Sequence, residues 1–333
     1  PGGHQPMVSA SGRFVIVYNG ELYNFRELRK ELDLPSDRPI TFRGLADTEV
    51  VLACFDRWGV YDSLSRFNGM FALAAWDRQE RILHLTRDRM GEKPLYYGWM
   101  GEAFLFGSEL KSLRVHPDFR SEIDRDALVL YMRHNCVPAP HSIYRGIFKL
   151  PPGNLLSLPQ GKNAPVKPRP YWSLLGAVAR GKAQSFCTTV SEAADRLDTL
   201  LRDAVHKRML ADVPLGGFLS GGVDSSTIVA LMQAQSTVQV KTFTIGLCDA
   251  AFDEAKSAAA VARHLGTEHI ELYVTPADAQ SVIPKLATMY DEPFADSSQV
   301  PTYLVSQLAR RYVTVGLSGD GGDELFGGYN RHV

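Results

Sequence analysis

The spacing of hydrophobic and polar residues changes once along the chain. Up to about residue 150, short alternating or apolar runs bounded by turn residues predict β-strands at residues 14–18, 69–76, 82–86, 95–97 and 104–106. In residues 25–34 and 48–58, apolar positions recur at helical spacing. We therefore expect an antiparallel sheet covered by helices in this half.

The second half alternates helical and strand patterns. Six prolines in residues 151–170 predict a connection, which places a domain boundary near residue 165. Beyond it, Ser191 is a candidate N-cap for a helix with one apolar face. Strand patterns at residues 242–245 and 312–317 and a helical pattern at 255–265 follow. This alternation predicts a parallel sheet covered on both sides, with ligands at the carboxyl ends of its strands.

Composition narrows the class of protein. The chain has 333 residues, a formal net charge of −1, 45% apolar and 22% charged residues, which suits a globular enzyme of two domains. Lys and Arg form no dense run, which argues against a nucleic-acid surface. The four cysteines are far apart, and no apolar run approaches the length of a membrane span. We expect a cytoplasmic protein that acts on small molecules, without a membrane partner.

Residues 220–226 carry the strongest chemical signal. They read Ser-Gly-Gly-Val-Asp-Ser-Ser, after an apolar stretch and before a helical pattern. Hydroxyls, glycine backbone and a helix N-terminus together predict a phosphate site, and Asp224 beside it predicts a Mg²⁺ ligand. The lysine of the Walker loop is missing, which favours cleavage of ATP between its α and β phosphates. An ordinary glycine turn is the alternative.

Two acidic segments follow later in the chain. Residues 317–329 contain five glycines and the carboxylates Asp320, Asp323 and Glu324. They come after a predicted buried strand, so we expect them at the same edge of the sheet as residues 220–226. A metal or substrate site and a solvated acidic turn both remain open for this segment. Residues 291–298 form a third acidic cluster, which is equally a site or a helix boundary.

These segments resemble a known family. Residues 220–226, 252–254, 291–298 and 317–329 are similar to the synthetase half of the glutamine-dependent asparagine synthetases, and residues 17–24, 46–49, 67–72 and 87–97 resemble its class II glutaminase domain. The resemblance implies an antiparallel αββα glutaminase sandwich of the Ntn-hydrolase type over residues 1–165. It implies a doubly wound parallel α/β domain of the PP-loop type over residues 166–333. It also suggests a homodimer.

The resemblance assigns a role to individual residues. It implies that glutamine is hydrolysed in the first domain and that ATP and Mg²⁺ adenylate aspartate in the second, where ammonia displaces AMP. In the first domain it places Asn19 and Gly20 in an oxyanion hole and Glu21 and Asp47 at the glutamine ammonium. In the second, Asp224 and Asp323 hold Mg²⁺, and Asp320 and Glu324 are weaker candidates. The residues implied to contact ATP are Leu219, Ser220, Gly221, Gly222, Val223, Asp224, Ser225, Ser226, Ile245, Ser318 and Gly319.

Residue patterns alone leave competing interpretations. Asn19-Gly20 is a strong signal for a hairpin turn, Asp47 is equally a helix N-cap, and Leu219 and Ile245 are equally core residues. The chain starts past the family's N-terminal cysteine nucleophile and stops before a later lysine, so we expect it not to hydrolyse glutamine as given. Amidation of another carboxylate, such as a sugar acid or a β-lactam-type precursor, is one alternative function. A non-catalytic nucleotide-binding relative is the other.

Overall fold

A computed structural model describes residues 3–33, 42–161, 167–186, 188–247 and 254–329. By its contacts the chain forms two units. Unit 1 comprises Pro1–Ser185 and Asp291–Ala295, and unit 2 comprises Phe186–Tyr290 and Asp296–Val333. The predicted boundary near residue 165 falls in a stretch outside the described residues, and it stays a prediction.

Unit 1 contains short strands and helices in mixed order. Its strands are β1 (Met7–Val8), β2 (Phe14–Leu22), β3 (Gly69–Asp77), β4 (Ile82–Arg87), β5 (Tyr96–Met100), β6 (Ala103–Gly107), β7 (Ile147–Lys149), β8 (Asn154–Pro159) and β9 (Arg169–Pro170). Its helices are α1 (Phe25–Leu32), α2 (Asp47–Trp58), α3 (Val60–Arg66), α4 (Leu110–Arg114), α5 (Arg125–His134) and α6 (Leu174–Ala183).

The strands of unit 1 form two antiparallel sheets. Within the described residues the larger sheet has the order β1-β2-β3-β4-β8-β9, and the smaller one has the order β6-β5-β7. Strand β3 shows how they are packed. Phe71, Leu73 and Ala75 lie in the core shared with α1 and α2, while Ala72 and Ala74 contact the core shared with the smaller sheet. Alternation along the strand therefore buries both of its faces.

A further core completes the layers of unit 1. Met100 of β5 packs with residues of α4 and α5, on the opposite face of the smaller sheet from Tyr97. The layers therefore run helices, sheet, sheet, helices. The predicted αββα sandwich is confirmed.

Unit 2 alternates strands and helices. Its strands are β10 (Leu215–Phe218), β11 (Lys241–Leu247), β12 (Glu268–Val274) and β13 (Val315–Leu317). Its helices are α7 (Val190–Arg208), α8 (Val223–Gln235), α9 (Ala255–Leu265), α10 (Pro276–Met289), α11 (Gln299–Ala309) and α12 (Gly322–Phe326).

The sheet of unit 2 is parallel throughout, and its order in the described chain is β12-β11-β10-β13. The first strand, β10, is therefore central, and the chain returns to its other side with β13. Val229 of α8 packs with Ala258 of α9 under Leu219, whereas Phe243 of β11 packs with Leu308 of α11. The predicted doubly wound α/β domain is confirmed. In such sheets ligands bind where the strand order reverses, which here is between β10 and β13.

Four local predictions are corrected. The hairpin at Asn19-Gly20 is wrong, because β2 continues through both residues and pairs with β3 along its length. Ser191 is not an N-cap: Thr189 caps α7, with its Oγ1 accepting from the N–H of Glu192. Asp47 lies in the first turn of α2, and Ala46 occupies the N-cap position.

The fourth correction concerns the last strand. Only residues 315–317 of the predicted strand at 312–317 are extended, because the N–H groups of Tyr312 and Val313 bond back to the carbonyl of Ala309 and close α11. Among the described helices, none combines the length and the apolar character needed to cross a membrane.

Candidate active site

The turn after β10 is held by its own serines. The hydroxyls of Ser220 and Ser225 lie 2.9 Å apart, the N–H of Ser220 donates to Ser225 Oγ at 3.2 Å, and the N–H of Gly222 donates to Ser220 Oγ at 3.2 Å. Gly221 has φ +81°, and a Cβ atom there would lie 2.7 Å from the N atom of Ala258. Glycine is therefore required twice over, for its backbone angle and for close packing.

Helix α8 begins directly after this turn. Gly222 is its N-cap, and within the described structure no side chain caps the helix. Its first amides and its dipole consequently offer positive potential at the turn, as an anion site needs. Val223 is 81% exposed at this end, so it presents an apolar surface beside the amides. The geometry suits a phosphate attached to a larger group.

The acidic segment lies against the same turn. Strands β10 and β13 are paired neighbours, so the loops that follow them share one edge of the sheet. A Cβ atom on Gly319 would lie 2.7 Å from the N atom of Ser225, and one on Gly322 would lie 2.3 Å from Asp224 Oδ2. The structure therefore brings together the two loops that the sequence analysis paired.

The carboxylates in these loops have different surroundings. Asp320 Oδ2 accepts from the hydroxyl of Ser318 at 3.0 Å, and Glu324 Oε1 accepts from the hydroxyl of Tyr329 at 2.7 Å. Asp323 lies in the first turn of α12 together with Glu324, and a Cβ atom on Gly328 would lie 1.9 Å from Asp323 Oδ1. Among the residues that the structure describes, no three His, Cys, Asp or Glu side chains converge as a metal site.

Two hydroxyl side chains directly follow Asp224 in the chain. Ser226 Oγ is buried and has no hydrogen-bond partner within the described part of the chain, and the hydroxyl of Ser225 lies one residue away. Carboxylate and hydroxyl oxygens are the ligands that Mg²⁺ accepts, with phosphate oxygens and water completing its shell. Asp224 therefore has the chemistry of a ligand for this ion.

The remaining nucleotide candidates lie at strand ends. Leu219 follows β10, and its side chain is buried with Val229. Ile245 belongs to β11 and is partly buried against a neighbouring core. Ser318 and Gly319 directly follow β13. Phe252 and Asp253, from the segment at residues 252–254, lie outside the described residues.

The glutamine candidates lie on and beside β2. The amide of Asn19 donates from Nδ2 to Ser108 Oγ at 3.1 Å. Gly20 is paired with Phe71 of β3, and a Cβ atom there would lie 2.1 Å from the carbonyl oxygen of Met70. Close packing of two strands, not a turn, accounts for this glycine. Asn19 and Glu21 are exposed on one face of β2, two residues apart.

Asp47 is fixed at the end of the same strand. Its Oδ2 accepts from the N–H of Leu22 at 2.8 Å and from the hydroxyl of Tyr18 at 3.2 Å. Burial, with the nearby negative charge of Asp47 second, raises the pKa of Tyr18 well above its ordinary value. Tyr18 therefore stays a neutral donor that orients the carboxylate.

Sequence reasoning missed two residues that support this region. Ser108 accepts the hydrogen bond that orients Asn19. Asp88 is fully buried and accepts from the N–H groups of Phe71, Met90, Glu92 and Lys93 at 2.9–3.2 Å. Asp88 thereby fixes β3 where it faces Gly20. The turn residues around Asp88 were a signal for its role, whereas nothing local marked Ser108.

Comparisons with known proteins identify the family of each half of the chain. The family model described as glutamine amidotransferase domain matches residues 1–172, and the one described as asparagine synthase matches residues 196–333. The chain thus combines a glutamine amidotransferase domain with a synthase domain. It belongs to the glutamine-hydrolysing asparagine synthetase family.

Relatives match nearly the whole chain. It is 36% identical over 329 residues to glutamine-hydrolyzing asparagine synthetase 1 of Bacillus subtilis, covering 98% of this chain and 50% of that protein. A protein of Methanocaldococcus jannaschii, provisionally named a glutamine-hydrolyzing asparagine synthetase, is 38% identical over 322 residues, covering 96% of this chain and 59% of that protein. The chain therefore spans about half the length of the curated relatives it matches.

Proposed function

We propose that the protein containing this chain makes asparagine from aspartate, with ATP as the activating agent and glutamine as the nitrogen donor. The observation that carries the proposal is the contact between the turn at Ser220 and the acidic loop at Gly322, on neighbouring parallel strands. Its relatives carry the name of this activity. We also infer that the protein acts in the cytoplasm on small-molecule substrates.

The synthase half supplies binding and orientation. The free amides at the start of α8 and the turn at residues 220–222 hold the phosphates of ATP, and Val223, Leu219 and Ile245 border the nucleoside. Asp224 and Asp323 would hold Mg²⁺, which neutralises phosphate charge when bound. Aspartate attacks the α-phosphate, pyrophosphate leaves, and ammonia then displaces AMP. AMP is a better leaving group than hydroxide, which lowers the barrier to amide formation.

The amidotransferase half supplies ammonia. Asn19 Nδ2 and the N–H of Gly20 donate to the oxygen that becomes negative when the glutamine amide is attacked. Glu21 and Asp47 hold the α-ammonium group of glutamine. Hydrogen bonds from Leu22 and Tyr18 keep Asp47 in place before the substrate arrives, which avoids reorganisation in the transition state.

Pyrophosphate release by the full-length parent protein tests the proposal. We expect release to depend on ATP and aspartate, and to fall by about tenfold or more in Gly322→Ala, because the added methyl group displaces Asp224. Gly181→Ala is the matched control, since a Cβ atom there meets nothing within 4 Å. Release stimulated by a sugar acid or a β-lactam-type precursor instead of aspartate would contradict asparagine synthesis. No release with any acid would favour a nucleotide-binding protein without catalysis.

A further inference from the structure

The acidic segment Asp291–Ala295 belongs to unit 1, although the chain on both of its sides belongs to unit 2. Glu292 anchors it. Its Oε1 accepts from the N–H of Ile143 at 2.8 Å, while its Oε2 lies 2.5 Å from Lys149 Nζ and 3.5 Å from the hydroxyl of Tyr96. The side chains of Glu292 and Lys149 are only 9% and 17% exposed. A carboxylate so buried is stable only with such partners.

Further contacts hold the rest of the segment. Asp291 Oδ1 lies 3.5 Å from Lys111 Nζ. Phe294 forms an antiparallel bridge with Cys136, and the N–H of Ala295 donates to the carbonyl of Asn135 at 2.8 Å. Two adjacent carboxylates thus meet two lysines, and the backbone that follows is paired. These contacts exceed what a helix boundary requires.

Two partners of this segment belong to the small sheet that also reaches the glutamine site. Lys149 ends β7 and Tyr96 begins β5, and β5 pairs with both β7 and β6. Ser108, which follows β6, accepts the hydrogen bond from Asn19. Lys111 lies only three residues beyond Ser108. A short, continuous set of packed and hydrogen-bonded residues therefore joins Asn19 to Asp291 and Glu292.

We propose that Glu292 is a positioning residue, which couples the glutamine site to amide formation through the segment Asp291–Ala295. This proposal rests on the proposed function. When the Asn19 amide turns towards a developing oxyanion, its bond to Ser108 changes. The close-packed sheet transmits that change to Lys149 and Lys111, since packed interiors deform little. The segment Asp291–Ala295 connects α10 to α11 along the chain. A change at Lys149 and Lys111 therefore also changes the position of the segment between these two helices.

The test compares three rates in the full-length parent protein. These are glutamate release from glutamine, asparagine formation from ammonium, and asparagine formed per glutamate released. For Glu292→Gln we expect the first two to stay within about twofold of the wild type, and the ratio to fall by about fivefold or more. Lys149→Arg keeps the charge and should retain the ratio. Glu31→Gln is the matched control, because its carboxylate pairs with Arg66 on the surface.

Folding is checked separately by melting temperature. If Glu292→Gln does not fold, the double variant Glu292→Leu with Lys149→Met is used instead. It removes both charges and should fold, since an apolar pair has no charge to desolvate. It should show the same reduced ratio of asparagine formed to glutamate released. A wild-type ratio in whichever of these folds would overturn the proposal, as would a parallel fall of all three rates. A wild type that forms no asparagine from either donor would instead overturn the proposed function, and this inference with it.

Discussion

Replacing Asp88 by asparagine tests how the turn at residues 88–93 supports unit 1. Asp88 Oδ1 accepts from the N–H groups of Met90 and Glu92, and Oδ2 accepts from those of Phe71 and Lys93. Asparagine keeps one oxygen and places an NH₂ group against two buried N–H donors. Each hydrogen bond to a charged group contributes about 1.5–3 kcal/mol, so losing two costs roughly 3–6 kcal/mol.

This loss is large enough to measure by thermal unfolding. A destabilisation of about 4 kcal/mol lowers the Tm of a domain of this size by about 8–16 °C. Asp118→Asn makes the same chemical change on a side chain that is 60% exposed, and it should shift the free energy of unfolding by less than about 0.5 kcal/mol. Circular dichroism melts of both variants and the wild type decide. Equal Tm values for Asp88→Asn and Asp118→Asn would refute the reasoning.

Three further predictions follow from local geometry. Gly20→Ala places a methyl group against the carbonyl of Met70 and should lower glutamine hydrolysis by the full-length parent by about 100-fold; a glutamate assay checks this, and normal release would contradict it. Thr189→Ala removes the cap of α7 and should lower the free energy of unfolding in urea by about 1 kcal/mol, whereas Ser191→Ala should change it little. A larger loss for Ser191→Ala than for Thr189→Ala would instead support Ser191 as the N-cap. Burial acts to raise the pKa of Asp77, but hydrogen bonds from Arg13, Glu80 and Gln79 outweigh it and lower the pKa. The stability that this lowered pKa provides is present above the ordinary pKa of about 4 and is lost as the pH falls through the pKa of the folded state. Below about pH 4, the Tm of Asp77→Asn should therefore fall less with pH than the Tm of the wild type. Identical dependence of Tm on pH for the two proteins would disprove the assignment.

Patterns that act within a few residues were readable from the sequence. The spacing of apolar residues predicted antiparallel strands in unit 1 and the parallel sheet of unit 2, because each period reflects which face of an element is buried. The turn at Ser220 was predictable for the same reason, since its glycines, serines and helix start are consecutive. The pairing of that turn with the acidic loop followed from the general rule that parallel strands end at one edge.

Features that depend on distant partners were not readable. Asn19-Gly20 matched a hairpin signal, yet Gly20 is explained by its close packing against β3, which lies some fifty residues later. The cluster containing Glu292 was equally a site or a helix boundary, and the partners of Glu292, Ile143 and Lys149, lie about 150 residues earlier. Sequence spacing contains no information on such pairs, because a single chain does not reveal which residues meet across a fold.

The order of the strands in unit 2 has a consequence for biosynthesis. Leu215 of β10 pairs with Val315 of β13, a hundred residues further along. A growing polypeptide therefore exposes the Ser220 turn long before its counterpart leaves the ribosome. The proposed nucleotide pocket forms only when β13 is delivered, so nucleotide cannot guide the early stages of folding. Chaperones that shield a half-finished sheet would act in this interval.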